Sequence, residues 1–264
     1  MAGETSATAP SRLLAIDGLR GLLALVVVLW HATEPLNCNA LLIPANLAVC
    51  GFFVLSGYVL TRGWDGSPLA FLLRRFVRLW PAYAVCLTLA FAVAGVWPQW
   101  SLYGWWPVVS PAVDPPIWSL CVEAFAMPFM PLFVAAGRGR PVVAAAAVAL
   151  GAMALGAHWR VGYATFFVLG AFLSRWEFRN RWLESPVPQA LGQISYSLYL
   201  SHWIVMSAAR SVWGPWGALL SVPLAFPLAW ALWRVVEAPS IEASRAIGRR
   251  LRAAKAAAPL PARA

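Results

Sequence analysis

The chain has 264 residues, of which 61% are hydrophobic and only 11% are charged. Soluble domains contain about 45–50% apolar and about 25% charged residues, so this composition excludes an ordinary soluble protein and indicates a membrane protein. The net charge of +10 is explained by basic loops on the cytoplasmic side of a membrane. We therefore expect membrane lipids as partners, and no nucleic acid.

The first 12 residues are polar and include a single basic residue, and no small-residue cleavage pattern follows the apolar run after them. This argues against a cleaved signal peptide. The four cysteines are scattered and form no C-x-x-C pair, so no metal site is predicted. We expect a polar tail over 1–12, a transmembrane domain over 13–240 and a basic tail over 241–264.

Apolar runs of about 20 residues predict membrane-spanning helices. Helices are required because lipid offers no partner to backbone polar groups. The prediction is an all-α polytopic membrane protein, a bundle of about eight transmembrane helices. The spans are expected at residues 14–33, 41–61, 77–97, 117–136, 141–157, 161–176, 191–212 and 216–236.

Arginine and lysine are concentrated in the two tails and in the connections after the second, fourth and sixth spans. Because basic residues mark the cytoplasmic side, both termini are predicted to be cytoplasmic. The Ala- and Arg-rich composition suits a bacterium, and hence the bacterial cytoplasmic (inner) membrane. Two interpretations of the basic tail stay open, a helix lying on anionic lipid or a solvated segment.

The first predicted helix contains DGLRGLLALVVVLWHA, with three ionisable residues in an otherwise apolar run. Arg20 and His31 are eleven residues apart, which places them on one face and about 16 Å apart along the axis. Asp17 lies one turn before Arg20 and is expected to pair with it. Ionisable residues inside a span usually mark a pathway or a site. The alternative is a structural ion pair, with His31 at the other membrane surface.

Two further helices carry polar residues. Glu123 lies about two turns into the fourth helix, where we expect it to pair with His31 and raise its basicity, or with an arginine instead. Ser195, Tyr199 and His202 share one face of the seventh helix. They either line a cavity or hydrogen-bond to neighbouring helices.

Arg74, Arg75 and Arg78 cluster at the start of the third helix. Guanidinium groups form paired, charge-assisted bonds with phosphates, although positive-inside anchoring also explains such a cluster. Near the end of the chain, Arg234 and Glu237 are one turn apart and are expected to form an ion pair.

Six sequence blocks follow one another in order: LLAIDGLRGLLALVVVLWHA, GFFVLSGYVLTR, RRFVRLWPAY, PPIWSLCVEAF, LGQISYSLYLSHW and VEAPS. In these blocks the chain resembles the membrane-bound acyltransferase-3 family. Ala124 and Ile204 depart from residues common in that family, and eight spans are fewer than its usual ten.

The resemblance implies catalytic roles for Arg20, His31 and Glu123, and acyl-CoA binding by Arg75 and Arg78. It implies an O-acyltransferase, with acetyl as the expected group, that modifies a hydroxyl of a glycan, a lipid or a small secreted metabolite. Acetyl-CoA or another acyl-CoA is then a donor substrate, and no permanently bound cofactor is expected. The alternatives are a transporter or flippase for a glycan or lipid precursor, and a non-catalytic membrane scaffold.

Overall fold

The computed structural model describes residues 13–40, 42–97, 113–139 and 159–257. Within these ranges every regular element is helical, which confirms the all-helical prediction. The elements are α1 (Leu14–Thr33), α2 (Ala45–Arg62), α3 (Pro68–Ala94), α4 (Trp118–Ala126), α5 (Met130–Arg138), α6 (Trp159–Leu173), α7 (Pro186–Leu232) and α8 (Ala238–Ala257). The predicted fifth span, 141–157, lies outside the described residues.

Five helical stretches in the described part of the chain are long and apolar enough to cross a membrane. They are Leu14–Leu36, Ala45–Arg62, Pro68–Ala94, Pro115–Arg138 and Pro186–Ala254, and a shorter apolar helix covers Gly162–Leu173. The fourth stretch joins α4 and α5 through the 3₁₀ turn Met127–Phe129. The lengths and composition agree with a membrane protein.

The helix α3 begins nine residues before its predicted start at residue 77. The Ser67 side chain accepts a hydrogen bond from the Ala70 amide, which caps the helix. Pro68 occupies the first position of the helix, where its missing N–H costs nothing. The arginine cluster therefore lies inside a helix and not at its entrance.

The long helix α7 is a helical hairpin. Trp213 and Gly214 leave the helical conformation, and Gly214 has φ +59°, which a glycine adopts without strain. The arms before and after this point, 186–212 and 215–232, correspond to the predicted seventh and eighth spans. They pack closely, because a Cβ added at Gly217 would lie only 2.2 Å from the Ala209 carbonyl oxygen.

Glycines set the spacing between α1 and the first arm of α7. A Cβ added at Gly21 would lie 2.4 Å from the Gly192 amide nitrogen, and one added at Gly192 would lie 2.2 Å from the Asp17 carbonyl oxygen. In lipid, helices associate through such close backbone approach rather than through a hydrophobic drive. The contact fixes the depth and rotation of α1, and with them the position of Arg20.

The basic tail begins with α8, which packs on α3. The Ser244 hydroxyl donates a hydrogen bond of 2.9 Å to the backbone carbonyl of Arg74, and Gly248 lies against the Arg74 side chain. At least this part of the tail is an ordered helix attached to the bundle. Its association with anionic lipid stays a prediction.

Gly21→Ala tests the α1–α7 contact. The added methyl group has no room beside Gly192, so we expect a loss of about 1–3 kcal/mol, the usual cost of overpacking. Melting of the purified protein in detergent measures the effect. Gly63→Ala is the matched control, because there a Cβ would meet its nearest neighbour at an ordinary 3.4 Å. An equal melting temperature for both variants would contradict the packing described here.

Candidate functional site

A polar cavity of about 90 Å³ lies inside the bundle, and we call it the arginine cavity. Its charged lining comes from α1, α3 and α4, and α7 supplies hydroxyl groups. Three guanidinium groups and one carboxylate share this space. The residues that define it are Arg20, Arg75, Arg78, Glu123, Ser195, Tyr196 and Tyr199. The sequence-predicted residues Arg20, Arg75, Arg78, Glu123 and Ser195 are thus brought together.

Glu123 and Arg75 form an ion pair between α4 and α3. Both side chains are largely buried, with 15% and 13% of their surface exposed, and a buried carboxylate needs such a partner. The expected pairing of Glu123 with His31 is wrong, because α4 presents the carboxylate to α3 while His31 lies in a separate cavity. The arginine alternative is the one that the structure contains.

The three arginines of the α3 cluster differ in their surroundings. Arg74 forms an ion pair of 2.8 Å with Asp65, and its Nε donates to the Ala70 carbonyl at 3.2 Å. Arg75 and Arg78 instead line the arginine cavity. The Nε of Arg75 is buried and has no hydrogen-bond partner among the described residues, so one donor of this guanidinium is available to a ligand.

Arg20 combines a local contact with a place in the cavity. Its Nη1 lies 3.9 Å from the Asp17 carboxylate, one turn earlier on α1. The expected ion pair is therefore present, at a distance longer than a hydrogen bond. The side chain also lines the arginine cavity. The geometry leaves the guanidinium free to reach a charge that develops inside the cavity.

His31 lies in a second, larger cavity of about 480 Å³, which we call the His31 cavity. Its lining includes Trp30, Asn46, Trp118 and Tyr199. His31 Nδ1 lies 3.6 Å from the Glu34 carboxylate. Sequence analysis did not identify this carboxylate, although Glu34 follows His31 by three residues, the spacing of one helical turn.

His202 stacks on His31, with ring centroids 5.6 Å apart. Its Nδ1 lies 2.6 Å from the Tyr199 carbonyl oxygen. A carbonyl only accepts, so Nδ1 carries the proton in a neutral ring and Nε2 has the lone pair. This Nε2 is buried and has no hydrogen-bond partner among the described residues.

The side chain of Tyr199, like that of Val49, lines both cavities. Its hydroxyl donates to the Pro116 carbonyl at 2.7 Å and accepts from the Ser119 hydroxyl at 2.8 Å. These two bonds hold the ring between α7 and the start of α4. The predicted polar face of the seventh helix therefore contributes to both cavities and to the wall between them.

Glu237 lies at the end of a π-helical turn, Trp233–Glu237. Only 4% of this residue is exposed, and its carboxylate accepts a hydrogen bond of 2.7 Å from the Ser197 hydroxyl. Arg234 is exposed. The expected Arg234–Glu237 pair is wrong, because the wider π-helical turn rotates Glu237 into the bundle while Arg234 stays outside.

Asp114 precedes the fourth membrane stretch and is completely buried. Burial raises the pKa of its carboxyl group well above the ordinary value, because a buried carboxylate loses its hydration. Neither carboxyl oxygen has a hydrogen-bond partner among the described residues. The raised pKa favours the neutral form of this carboxyl group.

Comparison with known proteins decides the family. The model of the Acyl_transf_3 family, described as an acyltransferase domain, matches residues 13–186. The chain belongs to this family. The matched segment contains Arg20, His31, Arg75, Arg78 and Glu123.

One relative of this chain is "Protein 2 in picA locus" from Rhizobium radiobacter. The two chains are 39% identical over 93 residues, which cover 32% of this chain and 47% of that protein. The match therefore spans about half of the relative's length. No solved structure matches this chain.

The Arg75–Glu123 pair is tested by a double-mutant cycle with Arg75→Gln and Glu123→Gln. Each single change leaves a buried charge without its partner, so the double variant is expected to be less destabilised than the sum, with a coupling energy of about 1–3 kcal/mol. The pair Arg179–Glu184, at 3.6 Å with an exposed arginine, is the control and is expected to give less than about 0.5 kcal/mol. Additive effects at Arg75 and Glu123 would exclude the ion pair.

Asp114→Asn tests the buried neutral carboxyl group. With a raised pKa, folded Asp114 keeps a proton that the unfolded chain releases, so its contribution to stability is complete at low pH and is lost as pH rises. We expect equal melting temperatures for variant and wild type near pH 4, and a higher one for the variant near pH 8. A higher melting temperature for wild type at pH 8 would indicate an ionised, stabilising carboxylate.

Proposed function

We propose that this acyltransferase moves an acyl group, acetyl in the simplest case, from cytoplasmic acyl-CoA to a hydroxyl of a glycan, a lipid or a small secreted metabolite. The observation that carries the proposal is the pair of adjoining cavities. One is lined by three arginines, the other contains a histidine, and the side chains of Tyr199 and Val49 line both. The proposal includes cytoplasmic termini and a bacterial inner membrane.

The arginine cavity suits the donor. Its lining holds three guanidinium groups against one carboxylate, so it attracts an anion. Arg75 and Arg78 would bind phosphate oxygens of the donor, since the planar fork matches them. The unpartnered Nε of Arg75 is a donor available for this purpose. Arg20 would stabilise negative charge on the thioester oxygen, an effect that is strong where water is excluded.

The His31 cavity suits the acceptor. As a general base, His31 would take the proton of the acceptor hydroxyl while the oxygen attacks the thioester carbon. The carbon–sulfur bond then breaks, and the imidazolium returns the proton to the CoA sulfur. Glu34, close to Nδ1, takes over the orienting role first expected for Glu123. In a second route, which stays open, His31 itself carries the acyl group.

The two cavities adjoin at Tyr199. Tyr199 and Val49 line both cavities, so a thioester on a flexible pantetheine arm would reach His31 once the Tyr199 ring moves aside. The donor phosphates can stay on the arginines during this step. Binding energy from the remote nucleotide then serves to position the reacting thioester.

The test compares wild-type cells with His31→Ala cells by untargeted mass spectrometry of surface glycans, lipids and secreted metabolites. We expect one product class to lose a single acyl unit, with transfer reduced at least about 100-fold, the typical contribution of a general base. Loss of whole molecules would favour a transporter. An unchanged profile with a folded, abundant variant would contradict a catalytic His31.

Two variants test whether the arginine cavity binds the phosphates of the donor. Arg75→Gln removes a cavity cation, whereas Arg74→Gln removes the neighbouring arginine that pairs with Asp65. Binding of labelled CoA to purified protein is expected to weaken about tenfold or more in the first and to change little in the second. Equal binding by both variants would argue against phosphate recognition in the arginine cavity.

A further inference from the structure

His202 contacts the ring of His31 but has no role in the scheme above. The two imidazole rings stack with centroids 5.6 Å apart and 20° between their planes. Trp203 packs against the same His31 ring in a T-shaped arrangement, with centroids 5.4 Å apart. Only 1% of His202 is exposed. The first arm of α7 thus supplies two side chains that hold the His31 ring in place.

The backbone of α7 fixes the tautomer of neutral His202. Its Nδ1 lies 2.6 Å from the Tyr199 carbonyl oxygen, which only accepts, so Nδ1 carries the proton and Nε2 has the lone pair. This Nε2 is buried, and the described part of the chain provides no hydrogen-bond partner for it. A buried acceptor that stays without a donor costs free energy. His202 therefore offers an acceptor, and not a donor, to its neighbours.

The Nδ1 of His31 is a second buried nitrogen without a hydrogen-bond partner among the described residues. The Glu34 carboxylate lies 3.6 Å away, which is beyond hydrogen-bond distance, and 55% of the Glu34 side chain is exposed. This carboxylate and the Nε2 of the stacked His202 ring are both acceptors. Acceptors around Nδ1 favour a proton on that nitrogen.

The burial of the His31 ring is uneven. Its Nδ1 is buried, whereas 21% of the side chain as a whole is exposed, and His31 lines the His31 cavity. The exposed part of the ring therefore lies away from Nδ1. If the proton is on Nδ1, the lone pair is on Nε2, the nitrogen that remains for a molecule in the cavity.

We propose that His202 is a positioning residue that fixes the proton of neutral His31 on Nδ1 and so leaves the Nε2 lone pair for the reaction. Because the rings are stacked, the bond from Nδ1–H to Nε2 of His202 needs a small ring rotation or one bridging water. Tyr199 anchors the far end through its carbonyl group. The reactive role of Nε2 rests on the proposed function, and it holds whether His31 acts as base or as acyl carrier.

The first measurement is the ¹⁵N NMR spectrum of purified full-length protein in detergent, with labelled histidine, at about pH 8, where imidazole is neutral. Protonated and unprotonated ring nitrogens resonate in separate regions. The chain has three histidines, and His158→Gln identifies the third. We expect His31 and His202 each to carry the proton on Nδ1. His202→Phe keeps an aromatic ring beside His31 but removes the acceptor, and a second set of His31 signals with the proton on Nε2 is expected.

A matched pair of variants separates the acceptor from the packing. In His202→Gln the amide group reaches the place of Nε2, whereas in His202→Asn it reaches only the place of Nδ1. We expect the glutamine variant to keep the His31 proton on Nδ1 and the asparagine variant to lose this preference. In cells, the acyl unit that depends on His31 is expected to persist with glutamine and to fall about tenfold or more with asparagine, because the wrong tautomer cannot act as base. Binding of labelled CoA is expected to be equal in both.

The wild-type spectrum decides the question even if a variant fails to fold, because a His31 proton on Nε2 overturns the inference. An unchanged His31 tautomer in folded His202→Phe also overturns it, since the nearby Glu34 is then sufficient. Equal amounts of acylated product in the glutamine and asparagine variants would exclude a positioning role in transfer. If His31→Ala changes no product at all, the proposed function fails, and the tautomer is still judged by the spectra.

Discussion

The structure depends on one constraint, the cost of placing guanidinium groups inside a bundle that lipid surrounds. A cation in such a place needs carboxylates close by. The structure supplies one such carboxylate in Glu123 of α4, which pairs with Arg75 of α3. The helices must therefore pack closely enough to bring the buried guanidinium and carboxylate groups together. The glycine contacts of α1 with α7 bring Arg20 near this centre.

The same constraint explains how the site is divided. Charges are collected in the smaller cavity, while the larger one contains His31, aromatic rings and an amide. Tyr199 can lie between them because both of its polar contacts are made with the start of α4. A neutral side chain therefore lies between a region lined by three arginines and a region lined by a histidine and aromatic rings.

The sequence predicts helices better than it predicts pairings. The span 14–33 coincides with α1, because one unbroken apolar run fixes both its ends. The face shared by Ser195, Tyr199 and His202 follows from helical spacing. The partner of Glu123 could not be predicted, since residue type does not say which helix faces α4. The inward turn of Glu237 is also missed, because a π-helical turn breaks the 3.6-residue period on which such reasoning depends.

The Tyr199 wall has a consequence for the membrane as a whole. Two cavities that adjoin within a spanning bundle shorten the path that an ion must cross. Tyr199 and Val49 line both cavities, and the Tyr199 ring is held by its bonds to Pro116 and Ser119. These two side chains are therefore the place where the bundle must stay closed to ions.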